Sequence, residues 1–500
     1  MGRVDQLIQQ LETGNTTDRL KAAEALGRIG NRKAIPALLR VVNNHSENSD
    51  VRARAAKALG QIGDPNTIPD ILYLYPIHDY YVRWHIIYAI GDILGRASQK
   101  NKHDAKSREI LSRTVDWLLR IVEGNGADAR ERARAAEALG QSRDPKAVHA
   151  LVELLSSGKT SDEREKAAGA LGQFGDPKAV PALLKALQNY NEYIGVRIAA
   201  AHSIGKIGDL EVVPNLCERL HIYTNDSFEA KEAAAIVDAI GEILGRTSPD
   251  DDRSREIYSH AVDKIIHALK AAWGDEVRVA AAEALVKTRD PQTVDTLITI
   301  LENKHKDRYG RASGFVRAEV ARVLGSIGDP KAIEPIIRTL EVASGWFDRK
   351  DRKTIVDALG NFDDPRVIDA LVGALAYDYH TAEAAAELLK KRRDRRAVEP
   401  LLRILYSDGS KEHTREFAAE ILGVMNEPRA IPALIKALHD DNGEIRPNIL
   451  KLLQFFILTH PDAILRIAPE ERHRLGRIIQ DAEHGKLLRK LCRKSRNKTR

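Results

Sequence analysis

The stretch Ala58-Leu59-Gly60-Gln61-Ile62-Gly63-Asp64-Pro65 returns as Ala170-Leu171-Gly172-Gln173-Phe174-Gly175-Asp176-Pro177 and again as Val323-Leu324-Gly325-Ser326-Ile327-Gly328-Asp329-Pro330. Weaker copies are centred on Asp144, Asp209, Asp290, Asp364 and Glu427. The steps from Asp144 to Asp176 to Asp209 are 32 and 33 residues, a period that belongs to stacked supersecondary units. The motif has a mechanical reading. Gly63 suits the left-handed conformation that ends a helix, Asp64 suits a cap for the next one, and Pro65 suits its first position, where no amide bond is lost. After Pro177, the residues Val180, Leu183, Leu184 and Leu187 fall on one helical face. Val51, Ala55, Leu59 and Ile62 do the same in the second helix of an earlier unit. A hairpin this thin cannot bury its own apolar face, so it must stack on its neighbours.

Two further signatures recur. A proline inside the first helix stands at Pro36, Pro181, Pro214, Pro335 and Pro432. A Val-Arg pair opens the second helix at Val51-Arg52, Val82-Arg83, Val196-Arg197, Val277-Arg278 and Val316-Arg317. Together with the Gly-Asp-Pro turn, this pattern resembles HEAT repeats of the phycobilisome-lyase-type HEAT-like subclass, from about residue 2 to about 459. The resemblance implies an all-α fold, a right-handed α-solenoid of about thirteen helical hairpins. It also implies that the arginine of each Val-Arg pair joins a ladder of hydrogen bonds with acids of neighbouring turns, for which Asp50 and Asp275 are candidates. A reading of those arginines as phosphate ligands is the weaker alternative.

Composition agrees with thin helical layers. Only 5% of the 500 residues are aromatic, and 30% are charged, which gives a well-solvated exterior. No window approaches the roughly 18–20 apolar residues of a membrane helix, and Met1–Gln6 leads directly into an amphipathic helix with no apolar signal region. Cys217 and Cys492 are too far apart in sequence to suggest a disulfide framework or thiolate metal site, so a reducing cytoplasm is the expected compartment. The net charge of +6 is a property of the C-terminus: Lys486, Arg489, Lys490, Arg493, Lys494, Arg496, Lys498 and Arg500 are unopposed by any acid there, and without those eight charges the chain carries −2. The expected organisation is a solenoid over 1–459, capping helices over 460–485 (Asp462–Ile467 and Pro469–Ile479) and a basic tail over 486–500, which is an anion-binding candidate.

A longer repeat overlies the short one. Ala89-Ile90-Gly91-Asp92-Ile93-Leu94-Gly95-Arg96 returns 150 residues later as Ala239-Ile240-Gly241-Glu242-Ile243-Leu244-Gly245-Arg246, and Ser107-Arg108-Glu109-Ile110 returns as Ser254-Arg255-Glu256-Ile257. Longer polar loops, Ala97–Lys106 and Thr247–Arg253, replace the tight turn in both places. A duplicated block of about four units, roughly 50–200 and 200–345, explains this. The two copies differ in one respect: the first carries Tyr73, Tyr75, Tyr80, Tyr81, Trp84 and Tyr88, whereas Lys231, Ala234 and Asp238 stand where Tyr81, Trp84 and Tyr88 would be. Tyr80, Tyr81, Arg83, Trp84, His85 and Tyr88 therefore form a protein-binding candidate with hot-spot composition, against the alternative that the rings fill a local core.

No catalytic constellation, cofactor motif or metal-ligand spacing is found. Gly158-Lys159-Thr160 lacks the upstream glycine of a phosphate loop, and Asp250-Asp251-Asp252 lacks the spaced ligands of a calcium loop and suits a helix cap. The deoxyhypusine hydroxylases share the repeat but bind iron through His-Glu dipeptides, and none occurs here. The near-neutral array does not support the basic groove of the DNA glycosylases built on HEAT-like repeats. The expected function is a non-catalytic scaffold or adaptor that binds a protein partner on its surface. The alternatives are a nucleic-acid-associated protein that uses its tail and, more weakly, a chromophore-lyase-like subunit acting with a second chain.

Overall fold

The computed structural model describes residues 2–76, 78–99, 104–124, 126–220, 227–271, 275–288, 291–302, 314–342, 349–407 and 409–436, together with 449, 452, 453, 455, 456, 459 and 460. The chain divides into two compact units, Met1–Thr288 and Arg289–Arg500. The first holds α1 (Arg3–Thr13), α2 (Thr16–Ile29), α3 (Ile35–Asn43), α4 (Ser49–Ile62), α5 (Ile68–Tyr73), α6 (Tyr80–Ser98), α7 (Ala105–Glu123), α8 (Ala129–Ser142), α9 (Ala147–Ser157), α10 (Ser161–Phe174), α11 (Val180–Gln188), α12 (Ile194–Ile207), α13 (Val213–Arg219), α14 (Ser227–Arg246), α15 (Asp252–Ala271) and α16 (Asp275–Thr288). The second holds α17 (Pro291–Glu302), α18 (Gly314–Ile327), α19 (Ile333–Val342), α20 (Arg349–Leu359), α21 (Pro365–Ala374), α22 (Tyr379–Arg392), α23 (Val398–Tyr406), α24 (Glu412–Val424) and α25 (Ile431–Lys436). Among the described residues every element is helical, and no described helix is long and apolar enough to cross a membrane.

Within each unit the helices pair as hairpins, odd with following even, and even-numbered helices pack on one another in succession. This is an α-solenoid of two layers. The sandwiched second helices are the more deeply buried: Val51, Ala55 and Leu59 of α4 are at most 1% exposed. In α11 Leu183 and Leu187 are buried, while Val180 and Leu184 are only half-buried. Burying one Leu or Val side chain stabilises by about 1.5–3 kcal/mol, and no hairpin could collect that without neighbours on both sides.

Three local readings change in the structure. Gly63 does not take the left-handed conformation: its φ is −63°, whereas Gly30, Gly175 and Gly328 do at +71°, +82° and +78°. The Gly63 turn is extended, which lets its carbonyl accept from Arg96 (2.9 Å). Second, Asp64 caps a short 3-10 turn, Pro65–Thr67, and not the helix itself, by accepting from the Asn66 amide at 3.0 Å. The same turn recurs at Pro177–Ala179, Pro330–Ala332 and Pro428–Ala430. Third, because that turn precedes the helix, Pro36, Pro181, Pro214, Pro335 and Pro432 fall within the first three helical positions of α3, α11, α13, α19 and α25. Amides there have no intrahelical acceptor, so these prolines break nothing.

The Ala-Leu-Gly glycine has a separate role. A Cβ added to Gly60 or Gly205 would lie 2.7 Å from the Cα of Ala89 or Ala239 on the next second helix. Glycine at this position sets how closely successive second helices approach. The Gly-Arg pair in the last turn of α6 and of α14 is a clamp. Arg96 donates to the carbonyls of Gly60 and Gly63, and Arg246 donates to those of Gly205 and Gly208. Each guanidinium closes the C-terminal carbonyls of the preceding second helix, where the helix dipole favours a cation. Arg392 repeats the arrangement in the second unit, donating to the carbonyls of Gly360 (2.7 Å) and Phe362 (2.5 Å).

Candidate interaction site

Two arrangements near the start of the second helices must be separated before a surface site can be recognised. The first is the arginine ladder. Arg52 donates to the Val42 carbonyl (3.0 Å) and pairs with Asp79 (3.5 Å). Arg132 donates to the Ala127 carbonyl (2.5 Å) and pairs with Glu163 (2.5 Å). Arg164 pairs with Glu192 (2.8 Å), Arg197 with Glu232 (2.8 Å) and, in the second unit, Arg352 with Asp378 (3.3 Å). Arg19 and Glu47 form a further rung.

Asp79, Glu163 and Asp378 also accept from amides at the start of their own helices. One carboxylate thus caps a helix and neutralises the arginine of the preceding repeat. Burial alone would raise the Glu163 carboxyl, but the Thr160 amide and hydroxyl and the Arg132 guanidinium together hold it below its ordinary value. The ladder is real, but of the acids named from sequence Asp50 is not a member. Asp50 is exposed in the first turn of α4, and Asp79 takes its place as partner of Arg52. The Asp275 side chain lies outside the described residues.

The second arrangement is the aromatic cluster, which the structure divides. Arg83 turns to the ladder: its Nε is 2.8 Å from a Glu131 carboxylate oxygen, and its guanidinium lies 4.4 Å from the Tyr80 ring centroid and 5.7 Å from that of Tyr75. Tyr75 in turn meets Trp117 of α7 edge-on at 4.9 Å. Burial, with help from the Glu131 carboxylate, pushes the Tyr75 hydroxyl up to about 12. Tyr75 and Arg83 therefore serve the interior.

Of the remaining five candidates, Tyr80 is exposed and carries the Arg83 guanidinium on its ring, while Tyr81, Trp84, His85 and Tyr88 recur at helical spacing along one face of α6. Tyr81 is 41% exposed and the other three are half-buried. Tyr81 meets Trp84 at 6.2 Å and His85 at 4.7 Å, both edge-on. His85 Nδ1 lies 2.9 Å from the Tyr81 carbonyl. Arg130 of α8 covers the Trp84 ring at 4.6 Å. The Asp92 carboxylate, then burial, then Glu137 raise the Tyr88 hydroxyl, so it stays a hydrogen-bond donor at neutral pH. The result is a ridge of rings with apolar faces, polar edges and a guanidinium alongside.

Elsewhere the same face is an ion-pair lattice. Lys166 lies 3.8 Å from Glu137 in the first unit, as does Lys287 at 2.7 Å from Glu242. In the second unit Lys390 lies 2.8 Å from Glu420. The aromatic ridge interrupts this pattern.

Sequence reading missed a second aromatic patch. In the second unit Tyr379, 52% exposed, has its ring 5.4 Å from Phe417, 5.9 Å from His380 and 6.3 Å from His413. The run Tyr377-Asp378-Tyr379-His380, which opens α22 much as His78-Asp79-Tyr80-Tyr81 opens α6, was its available signal. Phe417 and His413 come from the next second helix, so only stacking brings the four together.

Among the described residues no group of three or more His, Cys, Asp or Glu could hold a metal ion. Asp251 caps α15, accepting from the Ser254 amide (2.9 Å) and hydroxyl (2.7 Å). Thr160 of the Gly158-Lys159-Thr160 run caps α10. The eight basic residues from Lys486 to Arg500 and the expected capping helices lie outside the described residues.

The HEAT-repeat family profile matches residues 4–91, 45–116, 150–241, 262–351, 312–390, 337–412 and 374–454. The PBS lyase HEAT-like repeat matches residues 131–157. No curated protein sequence matches the chain. Among solved structures, the chain is similar to the karyopherin Kap121p bound to the SUMO protease Ulp1p, with 12% identity over 99% of this chain and 61% of that one and a TM-score of 0.51. It is also similar to importin beta, with 12% identity over 98% and 75% and a TM-score of 0.45. A third is the complex of CpcE and CpcF of phycocyanin lyase from a Nostoc species, with 19% identity over 52% and 95% and a TM-score of 0.31. The chain spans about three fifths of the length of the karyopherin. At these identities the likeness is one of fold.

Proposed function

Since this chain belongs to the family of HEAT-repeat proteins, whose solenoid is typical of protein-interaction scaffolds, we propose that it holds a protein partner on its solenoid surface, with the α6 ridge as anchor. One observation carries the reading. Tyr81, Trp84, His85 and Tyr88 line one partly exposed face of α6, while α14, its counterpart 150 residues on, folds the same way with Lys231, Ala234 and Asp238 at three of those positions. Folding does not require the rings there, and exposed aromatic surface is costly to leave in water. Tyr, Trp and Arg together are the composition of interface anchors, because they bury large area with few rotatable bonds and keep a polar edge for hydrogen bonding.

The test is affinity purification of the tagged full-length chain from its native lysate after nuclease treatment, beside the triple variant Tyr81→Ala, Trp84→Ala, Tyr88→Ala. A stoichiometric protein should be retained by the parent chain and lost by the variant, with affinity falling at least ~30-fold if any one ring is a hot spot of about 2 kcal/mol. A partner that survives in the still-folded variant would remove the ridge from the proposal. Recovery of nucleic acid alone would remove the protein-scaffold reading itself.

A further inference from the structure

In the second unit the first-helix layer is not closed. Between α19 and α21 a cleft of about 340 Å³ opens, with Ile337, Leu340, Ala370 and Gly373 along its apolar floor and Glu334, Glu341 and Asp369 along its rim. Glu334 is engaged by Arg338 at 3.3 Å, and Arg366 at the cleft's end is tied to Asp364 at 2.9 Å. Glu341 and Asp369 have no cation within 4 Å among the described residues. Their negative field is felt locally: burial first, and then the Glu341 carboxylate, raise the Tyr377 hydroxyl at the other end of the cleft. Gly373 has nothing within 4 Å of the position its Cβ would take, so the floor is open space.

An apolar floor below two unneutralised carboxylates fits long cationic side chains, which lay their methylene stems on apolar surface and keep the charged head at its edge. The same chain supplies a segment of that chemistry. Residues 486–500 carry eight Lys and Arg, no acid, and Leu487, Leu488 and Leu491. We propose that Lys486–Arg500 docks into this cleft in cis, its aliphatic groups over Ile337 and Ala370 and its cationic heads on Glu341 and Asp369.

The geometry permits it. His460 Nε2 lies 2.8 Å from Asn426 Oδ1 just after α24, which ties the end of the described chain to the repeat next to the α21–α22 hairpin. Helix layers spaced 8–10 Å apart put the cleft about 20–30 Å from that point. With 462–467 and 469–479 helical, as the sequence leads one to expect, residues 461–485 would still span up to about 50 Å. Tethering gives the segment an effective concentration of order millimolar at its site, so individually weak surface ion pairs suffice. The proposal is independent of the α6 ridge, which belongs to the other unit.

The experiment uses the full-length, nuclease-treated chain at low salt. A carbodiimide, which joins lysine to carboxylate without a spacer, should link Lys486, Lys490, Lys494 or Lys498 to Glu341 or Asp369. The yield should not depend on protein concentration. Trypsin should release the tail about three- to tenfold more slowly than it does from Gly373→Leu, which fills the floor, or from Glu341→Gln with Asp369→Asn. Gly373→Leu keeps every charge and raises helix propensity, so it should stay folded and lose the cross-links by blocking space alone. Cross-links spread over acids elsewhere on the surface would overturn the proposal in favour of a solvated tail. Links between chains that grow with concentration would overturn it in favour of a second copy, and protection seen only with nucleic acid present would assign the tail to that ligand.

Discussion

The helices α6 and α14 begin from the same plan and end as different surfaces. Both are long, 19 and 20 residues, and both carry Gly-Arg in their last turn. In each the arginine clamps the carbonyls of two glycines in the preceding second helix and turn. Both are also approached by the preceding second helix through a glycine that leaves no room for a Cβ. Their outward faces differ. On α6 Tyr81, Trp84, His85 and Tyr88 form a ridge, whereas on α14 Lys231 and Asp238 occupy its place and Glu242 nearby pairs with Lys287. The shared features hold helix against helix, and the difference lies on a face that stays partly exposed. The same helix packing therefore accommodates two different sets of side chains on this face.

That comparison can be broken at its foundations first. Glu232 at the start of α14 meets two buried guanidiniums, Arg197 at 2.8 Å and Arg219 at 2.7 Å, while Glu131, facing α6, meets one, Arg83. Glu232→Gln should destabilise the chain by about 3–5 kcal/mol in chemical denaturation, because it strands two buried cations. Glu131→Gln should cost less. Equal costs would mean that Arg219 adds nothing to the rung.

Next in size are the glycines. Gly60→Val and Gly205→Val should each cost about 1–3 kcal/mol by forcing neighbouring second helices apart, and the two should agree if the blocks are mechanically equivalent. Gly169→Ala, where a Cβ meets nothing, is the control and should stabilise by up to ~1 kcal/mol. Smaller still, Arg96→Met and Arg246→Met should each lose about 0.5–1.5 kcal/mol of hydrogen bonding, since the exposure of both side chains weakens the charge-assisted part.

The two helices should also differ in acid. Burial works to raise the Asp79 carboxyl at the start of α6, but the Ser49 hydroxyl, the Val82 amide and Arg52 bring it below its ordinary value. A depressed carboxyl contributes stability that is present above its unfolded value and lost as pH falls below about 4. Asp238 of α14 is raised, chiefly by burial, so its ionised form costs stability at neutral pH and protonation on acidification relieves that cost. Stability measured from pH 7 to 3 should fall less steeply in Asp79→Asn and more steeply in Asp238→Asn. The reverse pattern would show that burial does not govern Asp238. The smallest change is Tyr81→Lys, which writes the α14 residue onto α6. It should alter stability by no more than about 0.5 kcal/mol, and a larger loss would mean the ridge is part of the core.

The solenoid was legible because its signals are local. The Gly-Asp-Pro turns, the proline near many first-helix starts and the one-sided apolar pattern each act within a few residues, and each repeats. The interior of the motif was less legible. Gly63 is extended and not left-handed, and its carbonyl is taken by Arg96, thirty-three residues later. Asp50 was the wrong ladder acid because the partner of Arg52 comes from the following repeat. Arg83 looked like one of six surface candidates until Glu131, far along the chain, drew it inward. The patch of Tyr379, His380, His413 and Phe417 is assembled from two successive helices and leaves only half its signature in either.

By itself the sequence determined the class of the fold, the spacing of its repeats and the unusual aromatic content of α6, since composition and short-range periodicity carry all three. Only the tertiary structure decided which glycine carbonyls are clamped, which carboxylates neutralise which arginines, and which aromatic rings face outward. Those outcomes depend on side chains some thirty residues apart meeting across stacked helices. A linear period can announce that such meetings occur, but burial and charge pairing in three dimensions choose the partners.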